Sequence, residues 1–374
     1  MFDEVLCLSH LRWGFVFQRP NHLMSRCARD RRVFYVEEPH FDVEAPRMDI
    51  DQVDGGVHVA VPHLPPGTAG DAVDRLLNGL LRQLVERADV KRPLIWLYTP
   101  MAVRMAQGVR STGTVYDCMD ELSNFHGAPA ELRQRETELF HSVDLVFTGG
   151  QSLYEAKRAR HPHVYAFPSS VDFAHFEKAR SPQHDPPDQA AIPQPRIGFF
   201  GVIDERLDVP LIEAVATKRP DLHLVLVGPV VKIDPARLPR RPNIHWLGQK
   251  SYSELPSYIA GWEVAFMPFA RNDATKFISP TKTLEYLAAG RPVVSTSIRD
   301  VVQPYGNEHL VRIADEPHAF IAAINAALAE RGTADEVVHA RARDAILART
   351  SWDQTWARMH ALVEEALARR ARVL

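Results

Sequence analysis

The segment 276–296, KFISPTKTLEYLAAGRPVVST, places a lysine and a glutamate three residues apart at the start of a predicted helix. Ser279 is the predicted N-cap and Pro280 the first helical residue, where a missing N–H loses no hydrogen bond. A helix N-terminus offers unpaired backbone N–H groups and a partial positive charge, which attract anions. Lys282 adds a full charge there, and Glu285 lies one turn further along the same face. The pattern suits a phosphate on a sugar with vicinal hydroxyls; the alternative is a surface helix with an ordinary ion pair.

The composition argues against several classes of protein. The chain has 374 residues, 45% hydrophobic and 24% charged, with a net charge of −3. This is a globular balance, long enough for two domains, and it does not indicate a nucleic-acid partner. Cys7, Cys27 and Cys118 are too few and too scattered for a disulfide framework, which predicts a reducing, cytoplasmic compartment.

Neither targeting nor metal binding is indicated by the sequence. The N-terminus MFDEVLCLSH carries early acidic residues and is not expected to be a signal peptide, and no apolar stretch approaches the length of a membrane span. The seventeen histidines show no metal-ligand spacing. We therefore predict no metal and no cofactor.

Short apolar strands alternate with amphipathic helices in two series. The first series contains EVLCLS, VFYVEE, VHVAVP, LIWLYTP, GTVYDCM, DLVFTGG and HVYAFPS. The second contains RIGFFGVI, LHLVLVG, NIHWLG, EVAFMPF, PVVST and HLVRI. This alternation predicts an α/β fold with two Rossmann-like, doubly wound domains that face each other across a ligand-binding cleft.

Three local patterns add detail to these series. Gly290 is placed to cap the helix of the 276–296 segment. Ser251 and Glu254 predict a capping box. An apolar stripe behind Asp71 predicts a helix packed on a sheet, with a membrane-surface or partner-binding helix as the alternative.

The order of several motifs resembles that of the GT-B glycosyltransferases, which take sugars from nucleotide-sugar donors. The donor-domain motifs are FFGVIDERLD and SPTKTLEYLAAGRPVVST. PSSVDFAHF is similar to the segment that closes the first domain, and SWDQTWARM to the segment where the terminal helix returns to it. The opening WGFVFQRPNHLMSRCA resembles a subgroup of bacterial polysaccharide-assembly transferases.

The resemblance, with five prolines between Pro182 and Pro195, implies a division of the chain. The predicted parts are an N-terminal acceptor-side domain at 1–176, a Pro-rich linker at 177–195, a C-terminal donor-binding domain at 196–348, and a terminal helix at 349–374 that returns to the first domain.

The resemblance also implies a hexosyltransferase-like enzyme. It would move a sugar from a nucleotide-sugar, most simply a UDP-sugar, to a glycan, lipid-linked or other acceptor hydroxyl without a metal. We predict a cytoplasmic location; peripheral contact with the inner membrane is left open.

Two positions depart from the pattern of many retaining members. Those enzymes carry a Glu-x7-Glu signature whose second glutamate matches Glu285, but Phe277 occupies the position of the first. Ser170 replaces a usual glycine. The single glutamate is closer to inverting enzymes such as the glucuronosyltransferases of exopolysaccharide synthesis, so inversion is favoured and retention stays open.

The predicted donor site gathers basic groups around the leaving diphosphate, which gains negative charge as the glycosidic bond breaks. Its members are Gly201, Arg206, Ser279, Thr281, Lys282 and Glu285. Gly201 would allow close backbone approach, and Glu285 would accept hydrogen bonds from the ribose hydroxyls. The loop GQKSY at 248–252 is a candidate for backbone contact with the base. For Arg206 the alternative is a solvated loop arginine.

An inverting reaction needs a general base, and the acidic segment VYDCMDELSNF supplies candidates. We select Asp120 over Asp117 and Glu121, because its place resembles that of the base in the inverting subgroup. The alternative is helix capping or a solvated acidic turn.

The acceptor side is predicted from the N-terminal motif. Trp13, Arg19 and His22 are its candidates. Arg19 and His22 share a helix face, and for them the alternative is capping of that helix.

Two other functions are considered. A hydrolysing nucleotide-sugar epimerase shares this fold and needs no acceptor, although the N-terminal motif does not resemble that of the epimerases. A catalytically inactive GT-B subunit would scaffold a partner transferase, although Arg206, Lys282 and Glu285 argue against decay of the donor site.

Overall fold

A computed structural model describes residues 2–53 and 55–373, and the chain divides into two compact units. Unit 1 comprises Met1–Ser123, Gly127–Pro168 and Trp352–Leu374, and unit 2 comprises Asn124–His126 and Ser169–Ser351.

The sheet of unit 1 is almost entirely parallel. Its strands are β1 (Glu4–Leu8), β2 (Arg32–Val36), β3 (His40–Phe41), β4 (Arg47–Gln52), β5 (Val57–Leu64), β6 (Leu94–Leu97), β7 (Gly113–Cys118), β8 (Leu145–Thr148) and β9 (Val164–Ala166). They are ordered β3-β5-β2-β1-β6-β7-β8-β9, and β4 pairs antiparallel with β5. The central strands are continuous apolar runs buried on both faces, as a sheet covered by helices on both sides requires.

Helices cover this sheet. They are α1 (Arg19–Cys27), α2 (Asp71–Arg87), α3 (Leu132–Ser142) and α4 (Gln151–Lys157). Helix α2 packs on β4 and β5 and buries Leu80, Leu81 and Leu84. Its apolar stripe is therefore a core-facing surface, as the first of the two interpretations predicted.

Unit 2 contains a second parallel sheet. Its strands are β10 (Arg196–Phe200), β11 (His223–Val227), β12 (Ile244–Trp246), β13 (Val264–Met267), β14 (Val293–Ser295) and β15 (Val311–Ile313), in the order β12-β11-β10-β13-β14-β15. Strand β10 therefore lies in the interior of the sheet, and the loop that follows it opens at the carboxyl edge. Ligands of open α/β sheets bind at that edge.

The remaining helices complete the chain. They are α5 (Phe173–Phe176), α6 (Pro187–Ala190), α7 (Val209–Lys218), α8 (Leu255–Ala260), α9 (Thr281–Ala288), α10 (Arg299–Val301), α11 (Pro317–Ala329) and α12 (Ala334–Leu347) in unit 2, and α13 (Trp352–Val373) in unit 1. Among the described residues, no helix is long and apolar enough to cross a membrane. The predicted α/β fold, with two parallel sheets, is confirmed.

The segment 177–195 is more ordered than a linker. It contains a 3-10 helix at Glu177–Arg180 and helix α6, and it packs within unit 2. Gln189 is completely buried and accepts a hydrogen bond from the indole of Trp262 at 2.9 Å. The prolines therefore shape a packed segment of unit 2.

Candidate functional site

Helix α9 begins two residues after the predicted N-cap. Thr281 is its first residue and Pro280 occupies the N-cap position, so the assignment of Ser279 as the cap is corrected. Pro280 takes an extended ψ of 116°, which keeps it outside the helix. The Ser169 hydroxyl donates to the carbonyl of Ser279 at 2.9 Å and accepts from the hydroxyl of Thr281 at 3.0 Å. This pair of bonds fixes the chain where the helix starts. At the other end Gly290 has a left-handed φ of +76°, as a helix-terminating glycine should.

Lys282 lies across the glycine loop that follows β10. A Cβ added to Gly201 would overlap the Cε of Lys282 and come within 2.6 Å of its Nζ. Gly201 also has φ +139°, a conformation that L side chains rarely adopt. The ammonium is 5.8 Å from the ring centre of Phe199, the penultimate residue of β10. The backbone conformation therefore favours glycine at position 201, and a larger residue there would displace the end of the Lys282 side chain.

Glu285 lies one turn deeper in α9 and is only 5% exposed. Burial raises the pKa of its carboxyl from 4.5 to about 7, although the nearby Lys282 ammonium lowers it. Among the described residues, none donates a hydrogen bond to this carboxyl. A buried carboxyl that lacks protein donors is suited to accept hydrogen bonds from a polyhydroxylated ligand.

Arg206 is fixed by a neighbour in the same loop. Its guanidinium makes a bidentate pair with Asp204, at 2.7 to 3.1 Å, and Asp204 is buried. The guanidinium carbon also lies 5.5 Å from the ring centre of Phe125. A solvated loop arginine would lack these restraints, so the side chain is oriented beside the glycine loop.

The loop 248–252 lies at the same edge of the sheet. The carbonyl of Gly248 accepts a hydrogen bond from the N–H of Gly228 at 2.8 Å, which ties the loop to the end of β11. The Ser251–Glu254 capping box is present as predicted. Tyr252 stacks on His175 with ring centres 4.1 Å apart. The structure therefore brings this loop to the carboxyl edge of the sheet that also carries the glycine loop.

In unit 1, the acidic candidates after β7 have different surroundings. Asp117 is fully buried and pairs with Arg19. Glu121 accepts from the ammonium of Lys157 at 2.5 Å and from the Ser123 hydroxyl at 2.8 Å, and these bonds outweigh the effect of burial and lower its pKa. Asp120 is half-buried in the bend between them.

The predicted acceptor-side residues are mostly internal. Arg19 is 2% exposed; its guanidinium donates to Asp117 at 2.9 to 3.1 Å and to the carbonyl of Phe167 at 2.7 Å. Burial acts to lower the pKa of Arg19, but the Asp117 carboxylate outweighs it and raises the pKa. The pair is buried inside unit 1, and the acceptor-side role of Arg19 stays a prediction.

The other two predicted acceptor-side residues, His22 and Trp13, differ in how deeply they are buried. His22 is equally buried and stacks on Trp352 with ring centres 4.6 Å apart, so it packs inside unit 1, and its acceptor-side role stays a prediction. Trp13 is half-buried and packs edge-on against Tyr35 at 5.0 Å. Trp13 is the one of the three predicted residues whose side chain retains substantial exposure.

Some partners of the candidate residues were not predicted. The pairing of Asp204 with Arg206 had a local signal in the sequence, because an acidic residue stands two positions before a basic one. Ser169 and Phe125 are distant in the sequence from the residues they contact, and no pattern indicated them. Among the described residues, no group of three or more His, Cys, Asp or Glu side chains is arranged to hold a metal ion.

Comparison with known proteins identifies similar sequences and structures. Residues 194–330, which include the glycine loop and helix α9, match the family described as glycosyl transferases group 1. The matched residues all lie within unit 2. The chain is 26% identical over 280 residues to the putative teichuronic acid biosynthesis glycosyltransferase TuaH of Bacillus subtilis (strain 168), covering 68% of this chain and 69% of that protein. The protein is thus a glycosyltransferase.

Solved structures show that the glycosyltransferase has the GT-B fold. Sucrose-phosphate synthase from Thermosynechococcus elongatus superposes with a TM-score of 0.73 at 15% identity, covering 98% of this chain and 99% of that one. Anabaena Alr3699/HepE, solved in complex with UDP and glucose, has a TM-score of 0.69 at 15% identity, covering 97% of this chain and all of that one. The resemblance to GT-B glycosyltransferases is confirmed.

Proposed function

We propose that this enzyme transfers a sugar from a UDP-sugar to an acceptor hydroxyl at the glycine loop and helix α9. The observation that carries the proposal is the placement of Lys282 over Gly201, with the buried carboxyl of Glu285 one turn further on. A nucleoside diphosphate carries an anionic diphosphate and ribose hydroxyls, the two kinds of group that a lysine and a buried carboxyl can bind. HepE, which has the same fold, was solved with UDP, which supports the choice of nucleotide.

Each group in this site has a defined role in the proposal. The N–H groups of the first turn of α9, including Thr281, and the ammonium of Lys282 bind the diphosphate. Arg206 stabilises the charge that builds up on this leaving group, in the position that Asp204 gives it. Glu285 accepts hydrogen bonds from the ribose hydroxyls. Basic groups thereby perform the role that a metal has in other transferases, so the proposed reaction is metal-independent.

The proposed reaction inverts the anomeric configuration, with Asp120 as the general base. Inversion requires one carboxylate that takes the acceptor proton as the acceptor oxygen attacks. Asp117 is buried in its pair with Arg19, and the Lys157 ammonium helps to lower the pKa of Glu121, which weakens Glu121 as a base. Asp120 is half-buried in the bend between them, which supports its selection.

The acceptor proposed is a hydroxyl of a growing glycan or lipid-linked saccharide. The relation to TuaH, whose name places it in teichuronic acid biosynthesis, supports a role in bacterial polysaccharide assembly. Trp13 is the proposed acceptor contact, because it is only half-buried and the accessible part of an aromatic ring can pack on a sugar.

The donor site is tested by Lys282→Ala. Loss of a charge-assisted contact, worth about 1.5–3 kcal/mol, should weaken UDP binding by about tenfold or more. Isothermal titration with UDP measures it, and Lys218→Ala, an exposed lysine at the end of α7, is the matched control. Unchanged affinity in Lys282→Ala would remove the donor site from this helix.

The base is tested by Asp120→Asn together with the product's anomeric configuration by NMR. A positioned base contributes on the order of 10²- to 10⁴-fold, so turnover should fall by about that factor. UDP affinity should be nearly unchanged, because Asp120 belongs to unit 1 and the donor residues to unit 2. Retention of configuration, or a turnover near that of the wild type, would overturn the assignment of Asp120 and leave the donor site standing.

A further inference from the structure

The loop that follows β11 packs directly on the glycine loop. A Cβ at Gly228 would overlap the carbonyl oxygen of Gly201, so the two backbones touch. The N–H of Ile203 donates to the carbonyl of Pro229 at 2.9 Å, and the N–H of Val231 donates back to Ile203 at 3.0 Å. These bonds extend the parallel pairing of the two strands beyond their ends. Whatever binds over the glycine loop therefore also lies near the residue that follows Val231.

That residue is Lys232, whose backbone conformation and side-chain contacts are both unusual. It has a left-handed φ of +59°, which is strained for a residue with a side chain. Its side chain is exposed, and among the described residues none forms an ion pair or hydrogen bond with its ammonium. The ammonium lies 5.7 Å from the ring centre of Phe125. The negative face of an aromatic ring attracts a cation, which explains how the side chain is placed without a carboxylate.

The same ring also holds Arg206. Its guanidinium carbon lies 5.5 Å from the centre of Phe125, so one ring gathers two positive charges. The neighbours of Phe125 are fixed in unit 2: the amide of Asn124 donates to the carbonyl of Asp273 at 3.1 Å, and the N–H of His126 donates to Glu205 at 3.2 Å. The Asp204 carboxylate pairs with Arg206. Within the described part of the chain, Lys232 therefore remains a cation without a counter-charge beside the glycine loop.

We propose that Lys232 is a further donor-binding residue that contacts the β-phosphate of the bound nucleotide-sugar. This inference rests on the proposed function. Arg206 already has the Asp204 carboxylate as its counter-charge, whereas Lys232 forms no ion pair with a described residue, so a bound diphosphate would supply the anion that Lys232 lacks. In the proposed donor, the β-phosphate is the group nearest the breaking bond and gains the most charge in the transition state. Lys232 should therefore affect turnover as well as affinity.

The test compares Lys232→Met with Lys218→Met, using UDP and UMP as probes. Methionine keeps the length of the side chain and removes its charge, and Lys218 is an exposed lysine of the same unit. We expect Lys232→Met to bind UDP about tenfold more weakly while UMP, which lacks the β-phosphate, changes by less than about twofold. Lys218→Met should match the wild type with both probes. Lys232→Arg should restore most of the UDP affinity, because it restores the charge.

The inference is overturned if Lys232→Met binds UDP within about twofold of the wild type, or if UMP binding weakens by the same factor as UDP binding. A parallel titration of Lys282→Ala separates this result from failure of the proposed function. If Lys282→Ala has a reduced affinity for UDP and Lys232→Met does not, the donor site stands and Lys232 is excluded from it. If the wild type binds no UDP, both are overturned. Steady-state kinetics give a further readout, with kcat expected to fall in Lys232→Met.

Discussion

Replacing Glu285 by glutamine should stabilise the free enzyme against unfolding and, at the same time, weaken its binding of UDP. Burial raises the pKa of this carboxyl from 4.5 to about 7, so the folded state favours the protonated form. When the pKa of an acid is higher in the folded state, its contribution to the free energy of unfolding is fully present below the unfolded-state pKa. This contribution is lost as the pH rises through the folded-state pKa. The loss by pH 8 corresponds to about 3 kcal/mol of unfolding free energy. Glutamine does not ionise and avoids this loss.

Urea unfolding of wild type and Glu285→Gln at pH 5 and pH 8 measures the effect. We expect the variant to be more stable by about 2–3 kcal/mol at pH 8, with a difference that shrinks towards pH 5. UDP affinity should fall at pH 8, where the carboxyl is ionised and offers two acceptor oxygens while the amide offers one. Glu213→Gln, an exposed glutamate on α7, is the control and should show neither change. Equal pH dependence in wild type and Glu285→Gln would refute the reasoning from burial.

Three further outcomes are expected. His223 and His245 lie on adjacent strands with ring nitrogens 3.0 Å apart, and burial lowers the pKa of each, so protonation favours the unfolded state. The free energy of unfolding should therefore be highest above pH 6.5 and decrease below it. The melting temperatures at pH 7.5 and pH 5.5 should differ less in His245→Gln than in the wild type. Gly198→Ala should destabilise unit 2 by roughly 1–3 kcal/mol or more in urea, since a Cβ there overlaps the buried ring of Trp262; a stability equal to that of the wild type would show that the core can move. Transfer activity should persist in EDTA, and activity abolished by EDTA and restored by Mn²⁺ would contradict the proposed metal-free mechanism.

The strands were predictable where they are buried on both faces, because a continuous apolar run between turn residues has few other interpretations. Strand β4, RMDIDQ, was not predicted. It lies on one side of β5 with most of its residues exposed or half-buried, so pairing with β5, and not an apolar pattern, makes it a strand. The segment 177–195 was misleading for the opposite reason, since its prolines suggested a linker while Gln189 anchors it inside unit 2.

The same contrast applies to the site. Lys282 and Glu285 are related by one helical turn, so their common face follows from spacing alone. Arg19 is a different case, because its partner Asp117 is 98 residues away and only the fold shows that the pair is internal. Phe125 likewise has no local signal for its contact with Arg206. Sequence patterns identify groups that share an element, whereas pairs joined by tertiary contacts need the structure.

The order in which the chain leaves the ribosome has a consequence for its two units. Unit 1 is built from both ends of the chain, and the long segment of unit 2 lies between them. Helix α13 supplies Trp352, which stacks on His22, and Trp356, which packs against Trp96 at 6.1 Å. The strands of unit 1 are therefore synthesised before helix α13, and part of the core of unit 1 stays uncovered while unit 2 is synthesised. We expect a chain that ends before Trp352 to include every segment of unit 2 but to lack α13, so that apolar surface of unit 1 stays exposed and prone to aggregation.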